Sequence, residues 1–341
     1  GVRRPRRTAE VNATPLKFLF PGWFSIVMGL TGLSLAWHRA APLMGDAASA
    51  ISLAVALLAA LVFAALALAT LARARRHPEA WAEDCRHPVR HTFIATLPIA
   101  LILLATVAVA HGQAGPVTRA LWALGALAQA AVTVWVLGRW WKGNGPGGLV
   151  WASATPALVI PVVGNVLVPL AGVPLGYVEW SAAQFGVGLL FWPVVLILIA
   201  VRIALQGLWP DRMRPTSFIF IAPPAVVGLS LLQFGAPPLL AWALWGAAMF
   251  SLVWVALQAR QIAGLPFGLA HWGMSFPVAA LAALTLRLAG PGGLMANLGV
   301  LLLALASLVI AALLLGTLRG LRDGTLLAPE PVAALQPVAA T

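Results

Sequence analysis

Cys85, His87 and His91 fall within seven residues of one another, and thiols and imidazoles at close spacing are the side chains that hold zinc and related metals. They stand in an Arg-rich stretch without a further ligand pair, so no metal centre is expected, and headgroup contact or helix-end polarity is the expected role. Gly143-Asn144-Gly145-Pro146-Gly147-Gly148 is rich enough in glycine to suggest a phosphate cradle, but it follows an apolar helical run rather than a strand and reads as a flexible turn. No nucleophile has a matching base nearby. The sequence therefore carries neither an enzyme's residues nor a cofactor motif, and no cofactor is expected.

The ionisable residues are informative by where they are missing. The carboxylates are Glu10, Asp46, Glu79, Glu83, Asp84, Glu179, Asp211, Asp323 and Glu330, and none falls in the middle of an apolar run. No run has a central Lys or Arg either. Proton- and voltage-coupled membrane proteins place such groups within the bilayer, and many cation channels use carboxylate rings. An uncharged pathway favours passive permeation over both.

The elements that position these residues follow from composition. Hydrophobic residues make up 61% of the 341 and charged ones only 9%, where a soluble domain has about 25% charged. Lipid is thus the solvent for most of the chain, which makes membrane lipid an expected partner. A span needs roughly 20 apolar residues, and the runs do not alternate as barrel strands do, so the expected fold is an all-α polytopic membrane protein. Ten spans are read at 16–37, 48–73, 91–111, 117–141, 150–172, 178–204, 216–235, 237–259, 267–289 and 293–318, as one domain over 15–320. A basic cytoplasmic tail (1–14) precedes it and a flexible cytoplasmic tail (321–341) follows. The net charge of +12 does not point to nucleic acid, because the basic residues form short clusters between apolar runs. Placing both termini in the cytoplasm leaves only Arg39, Arg119 and Arg287, of the 21 Lys and Arg, on the opposite side. Tryptophans such as Trp37, Trp140, Trp141, Trp151, Trp180 and Trp209 fall near span ends, as interfacial indoles do.

Prolines favour the odd-numbered spans: Pro21, Pro98, Pro156 with Pro161, Pro223 with Pro224, and Pro277. Among even spans only the sixth has one inside, Pro193. A proline within a helix removes a backbone hydrogen bond and bends the axis, and in lipid the freed carbonyl must find a partner. The alternation suggests an inner ring of five proline-kinked odd helices and an outer ring of even ones, five helical hairpins in all. With axes about 10 Å apart and helix radii of about 5 Å, a five-membered ring leaves a hole of roughly 3–4 Å radius. Gly29, Gly164, Gly228 and Ala279 are candidates for a small-residue lining. Phe276, next to Pro277, is the candidate plug, although spacing alone favours an ordinary lipid-facing or packing residue.

Five segments in order resemble the tellurite-resistance and dicarboxylate-transporter family, which includes the bacterial TehA proteins and the plant guard-cell slow anion channel. They are Phe20-Pro21-Gly22 with Gly29, His87-Pro88-Val89-Arg90, Thr155-Pro156 with Ile160-Pro161-Val162-Val163-Gly164, Arg214-Pro215-Thr216 with Ala222-Pro223-Pro224-Ala225-Val226, and Ser275-Phe276-Pro277. The resemblance implies ten helices in five hairpins, a pore inside each subunit of a homotrimer in a bacterial inner membrane, and small inorganic anions such as chloride and nitrate as permeants. It implies that Phe276 occludes the pore, that Gly29 lines it, and that Phe93 is a second pore phenylalanine. The functional expectation is a gated anion channel. The alternative is a secondary transporter or exporter of C4-dicarboxylate, sulfite or tellurite-type oxyanions.

Overall fold

With so few charges to face water, the backbone has to satisfy its own hydrogen bonds. The computed structural model, which describes residues 15–290 and 292–329, does this with helices, and no strand occurs among the described residues. The even-numbered runs are uninterrupted α-helices: α2 (Asp46–Arg76), α5 (Pro116–Trp140), α8 (Val178–Gln206), α10 (Pro238–Ala256) and α13 (Leu294–Arg322). Short α3 (Pro78–Arg86) and α11 (Ala259–Ala263) follow α2 and α10.

The odd-numbered runs are built differently. Each opens in tight 3₁₀ turns and passes into an α-helix: Pro21–Phe24 into α1 (Ser25–Met44), Arg90–Ala95 into α4 (Thr96–Ala110), Asp211–Ile221 into α9 (Ala222–Gln233), and Leu269–Met274 into α12 (Ser275–Leu288). The fifth run is broken throughout, with α6 (Val159–Val163) and α7 (Pro169–Gly172) separated and preceded by 3₁₀ turns. Pro21 opens a 3₁₀ turn, and Pro98, Pro223 and Pro277 stand in the first turn of an α segment. The expected mid-helix kinks at these prolines are therefore corrected to changes of winding. A first-turn proline gives up an N–H that has no intrahelical partner there. Pro161 is the third residue of the five in α6, so it too stands in a first turn. Pro193 lies within an unbroken α8.

Among the described residues, eight helical runs are long and apolar enough to cross a membrane, and this is an integral membrane protein. The first and fifth expected spans fall outside that set. The most apolar part of α1 is diluted by Thr31, Ser34, His38 and Arg39, and Pro156–Gly172 is short. Burial separates the remainder into two groups. Of the most apolar stretch, 56%, 72% and 78% is buried in 90–110, 211–233 and 269–288, against 17–33% in the five even helices. Sequence neighbours pack together, α1 on α2, α4 on α5, α6 on α8, α9 on α10 and α12 on α13. Odd elements also touch one another: α1 meets α4 and α12, α9 meets α12 and α7, and α7 meets α4. The even helices turn residues such as Leu61, Leu68, Leu190, Phe250 and Leu301 outward. Trp141, Trp151 and Trp180 are exposed as interfacial indoles should be, whereas Trp209 is buried, contrary to expectation.

The carbonyls freed in the broken fifth run are met by polar side chains of its neighbours. Gln129 donates Nε2 to the carbonyls of Ile160 (3.2 Å) and Pro161 (3.1 Å), and Thr133 donates to Pro161 at 2.7 Å. Asn165 donates Nδ2 to Thr133 Oγ1 (2.8 Å) and to the Val162 carbonyl (3.0 Å). Gln184 donates to Asn165 Oδ1 at 2.8 Å, Ser230 to the Val166 carbonyl at 2.7 Å, and Trp122 Nε1 to that of Val168 at 3.0 Å. This network lets an irregular backbone exist at membrane depth.

α13 runs two residues past the expected domain limit of 320, and the Thr325 amide then donates back to the Gly320 carbonyl at 3.0 Å. The expected tail at 1–14, and 330–341 of the expected tail at 321–341, lie outside the described residues.

Candidate functional site

A cavity of about 70 Å³ lies among the odd elements. Ser25 and Met28 reach it from α1, Phe93 and Ile99 from 90–110, Val163 and Gly164 from the broken run, Pro223 and Val226 from α9, and Phe276 and Pro277 from α12. No residue of an even helix lines it, and no lining residue is charged. About 10–15 Å³ suffices for one water, so it has room for a few small species. Its two hydroxyls point their protons elsewhere: Ser25 donates to the Gly22 carbonyl and Thr216 to that of Met213, each at 2.6 Å. The wall is therefore largely apolar, and both hydroxyl protons are engaged by backbone carbonyls.

Phe276 is buried and lines the cavity. Its ring lies against α1 at Gly32, where a Cβ would come within 2.9 Å of the ring carbon Cδ2 and 3.3 Å of Ala279. Gly32 carried no expectation; its signal was only a second glycine one turn beyond Gly29. Phe93 also lines the cavity, and its ring meets that of Phe20 edge-on at 5.8 Å. Gly164, Pro223 and Pro277 line it too.

The other expected lining residues sit in contacts between elements. At Gly29 a Cβ would press on Ser275 Cβ (2.7 Å) and Trp272 Cζ3 (3.1 Å) of the ninth run. At Gly228 the missing side chain makes room for Leu284 and Leu244. Pro21 offers its carbonyl to Thr96 Oγ1 at 2.6 Å, tying the first run to the third. The Pro98 carbonyl lies against Gly125 of α5, where a Cβ would be only 2.9 Å away. Pro161 presents its carbonyl to Gln129 and Thr133.

At the N-terminal end of the third run, Asp84 is fully buried between two guanidinium groups, Arg73 Nη1 at 2.8 Å and Arg90 Nη1 at 3.0 Å. His87 beside it accepts the backbone N–H groups of Val89 (3.1 Å) and Arg90 (3.0 Å) on Nδ1, and His91 Nδ1 bonds the His87 carbonyl at 2.9 Å. These are turn-building roles. Burial, and secondarily Arg90, push the His87 imidazole down from its ordinary 6.5 to about 4, as an acceptor nitrogen requires. An imidazole held neutral makes the unfolded chain bind the proton more readily between those two values. His87 therefore adds stability that is complete above pH 6.5 and lost as pH falls towards 4. Melting curves of wild type and His87→Asn in detergent should differ most near neutral pH, and the difference should shrink by pH 4.5.

The family model described as SLAC1, voltage-dependent anion channel, matches residues 19–318. The chain is 26% identical to the S-type anion channel SLAH2 of Arabidopsis thaliana over 213 residues, 61% of this chain and 40% of that protein. It is 26% identical to SLAH3 of the same plant over 243 residues, 70% of this chain and 38% of that one. It is 25% identical to the tellurite resistance protein TehA homolog of Haemophilus influenzae over 264 residues, 76% and 78% of the two chains. The aligned region spans about 40% of the length of these plant relatives, whereas it covers most of the bacterial one.

Proposed function

The chain belongs to the SLAC1 family, and from that premise we propose that it is an anion channel whose pathway is the cavity among the odd elements. The observation that carries this reading is the cavity wall: five odd runs contribute to it, no charge lies on it, and Phe276 stands in it. Ten helices then form five hairpins, with the odd members ringing a pore and the even members facing lipid or further copies in a homotrimer. The burial contrast between odd and even runs supports this arrangement. The basic clusters favour both termini in the cytoplasm, and the Haemophilus relative favours a bacterial plasma membrane.

An uncharged wall whose hydroxyl protons are engaged by backbone carbonyls gives a permeating anion little to replace its water shell. Permeation then follows how readily each ion sheds water, with nitrate ahead of chloride. Phe276 closes the passage by leaning on Gly32, and Phe93 narrows it further. Pro21, Pro98, Pro161, Pro223 and Pro277 mark where each inner run changes winding or breaks, and Gly29, Gly164 and Gly228 allow those runs to approach.

The decisive measurement is anion efflux from liposomes holding purified protein, driven by a potassium diffusion potential at symmetric pH. Chloride and nitrate flux that follows the potential supports the channel. Flux that requires a proton gradient would instead favour the alternative, a secondary transporter of dicarboxylate, sulfite or tellurite-type oxyanions.

A further inference from the structure

The buried ion bridge around Asp84 lies away from the cavity, yet both chain segments it holds lead to aromatic rings beside it. Arg73, at the end of α2 and itself buried, donates Nε to the Lys17 carbonyl at 3.0 Å and forms an ion pair with Asp84, its Nη1 2.8 Å from the carboxylate. Arg90 reaches Asp84 with Nη1 (3.0 Å) and Glu83 with Nη2 (2.8 Å). Three residues after Lys17 comes Phe20, and three after Arg90 comes Phe93, and their rings meet edge-on at 5.8 Å. Helix α3, which carries Asp84, is fixed to α5 through Arg139, whose Nη1 donates to the Cys85 carbonyl at 2.6 Å.

The 3₁₀ segment Arg90–Ala95 is thus held at both ends. Arg90 anchors its start to α3. At its far end Thr96 Oγ1 lies 2.6 Å from both the Pro21 and the Phe93 carbonyls. Short 3₁₀ stretches next to α-helix are common hinge material. A buried ion pair contributes little net stability compared with apolar packing, but removing one partner leaves the others uncompensated, so it fixes one geometry over alternatives.

We propose that Asp84 is a positioning residue that holds Phe93 at the cavity wall, making the Phe20–Phe93 pair a second constriction in series with Phe276. Breaking the bridge frees the start of the Arg90–Ala95 segment to swing about Thr96 and withdraws Phe93. The proposal rests on the reading of the cavity as the anion pathway, but its first test does not need transport.

That test uses a thiol at the ring position, Phe93→Cys on a Cys85→Ser background that leaves no other cysteine, and a water-soluble maleimide. Adding Asp84→Asn should raise the labelling rate at residue 93 several-fold, while a control thiol at Ala248→Cys, buried in α10 and outside the cavity, keeps its low rate. Arg90→Gln, which cuts the same bridge from a partly exposed partner, should reproduce the effect even if Asp84→Asn fails to fold. Unchanged labelling at 93 in a folded bridge variant, or a parallel rise at 248 showing general loosening, overturns the proposal. The second test is liposome efflux: Asp84→Asn should increase anion flux several-fold when residue 93 is Phe and leave it unchanged in Phe93→Ala. An equal increase in both backgrounds also overturns it. If labelling behaves as expected and no variant carries anions, the positioning role stands and the channel reading fails.

Discussion

Phe276→Ala should raise anion flux by roughly tenfold or more, which corresponds to a barrier lowered by about 1.4 kcal/mol. The ring is the largest lining group of the ninth run other than Trp272, whose Nε1 is committed to Thr317 Oγ1 at 2.9 Å. Its removal also loses the contact with Gly32. A buried Phe→Ala change in a packed core costs about 3–5 kcal/mol, and the cost here should fall at the low end because one face of the ring already borders empty space. Efflux rates and melting temperature measured on the same preparation separate the two effects. Well-assembled Phe276→Ala protein with flux equal to wild type would remove Phe276 from its proposed role.

The second large effect belongs to Gln129, fully buried in α5. Gln129→Leu should lower stability by about 1–3 kcal/mol, because the Ile160 carbonyl loses its side-chain donor in a place water does not reach. The Pro161 carbonyl keeps Thr133. The loss should also be felt at the cavity, since a Cβ at Gly164 would lie 3.0 Å from Gln129 Nε2, placing the amide directly behind the wall. Thermal unfolding in detergent measures the first effect and nitrate efflux the second. A melting temperature unchanged from wild type would show that the broken run finds its partners elsewhere.

The contrast between odd and even runs was legible because proline acts locally: Pro98, Pro223 and Pro277 announce a change in the backbone whatever surrounds them. What the change would be was not legible. Proline excludes itself from a helix interior, but whether the chain bends or rewinds depends on what receives the freed carbonyls. Those receivers, Gln129, Thr133, Asn165 and Ser230, are uncharged residues inside apolar runs, and attention to ionisable groups passes over them. Phe276 and Phe93 were found through a local motif and both reach the cavity. At Gly29 and Gly228 the sequence is silent on role, because smallness serves a lining and a close helix contact equally well, and only the direction of the missing Cβ shows what each glycine faces. The longest direct contact in the Asp84 bridge, Arg73 Nε to the Lys17 carbonyl, spans 56 positions, a separation across which no spacing rule operates.

On the proposed channel reading, the largely apolar wall, with the Ser25 and Thr216 hydroxyl protons engaged by backbone carbonyls, bears on how the passage would stay shut. A narrow apolar stretch that binds water poorly tends to empty, and an emptied stretch is an electrical insulator even where its walls do not touch. A side chain need then only tip the balance between liquid and vapour, and a sub-ångström retreat of one ring can re-wet the column and switch the current on.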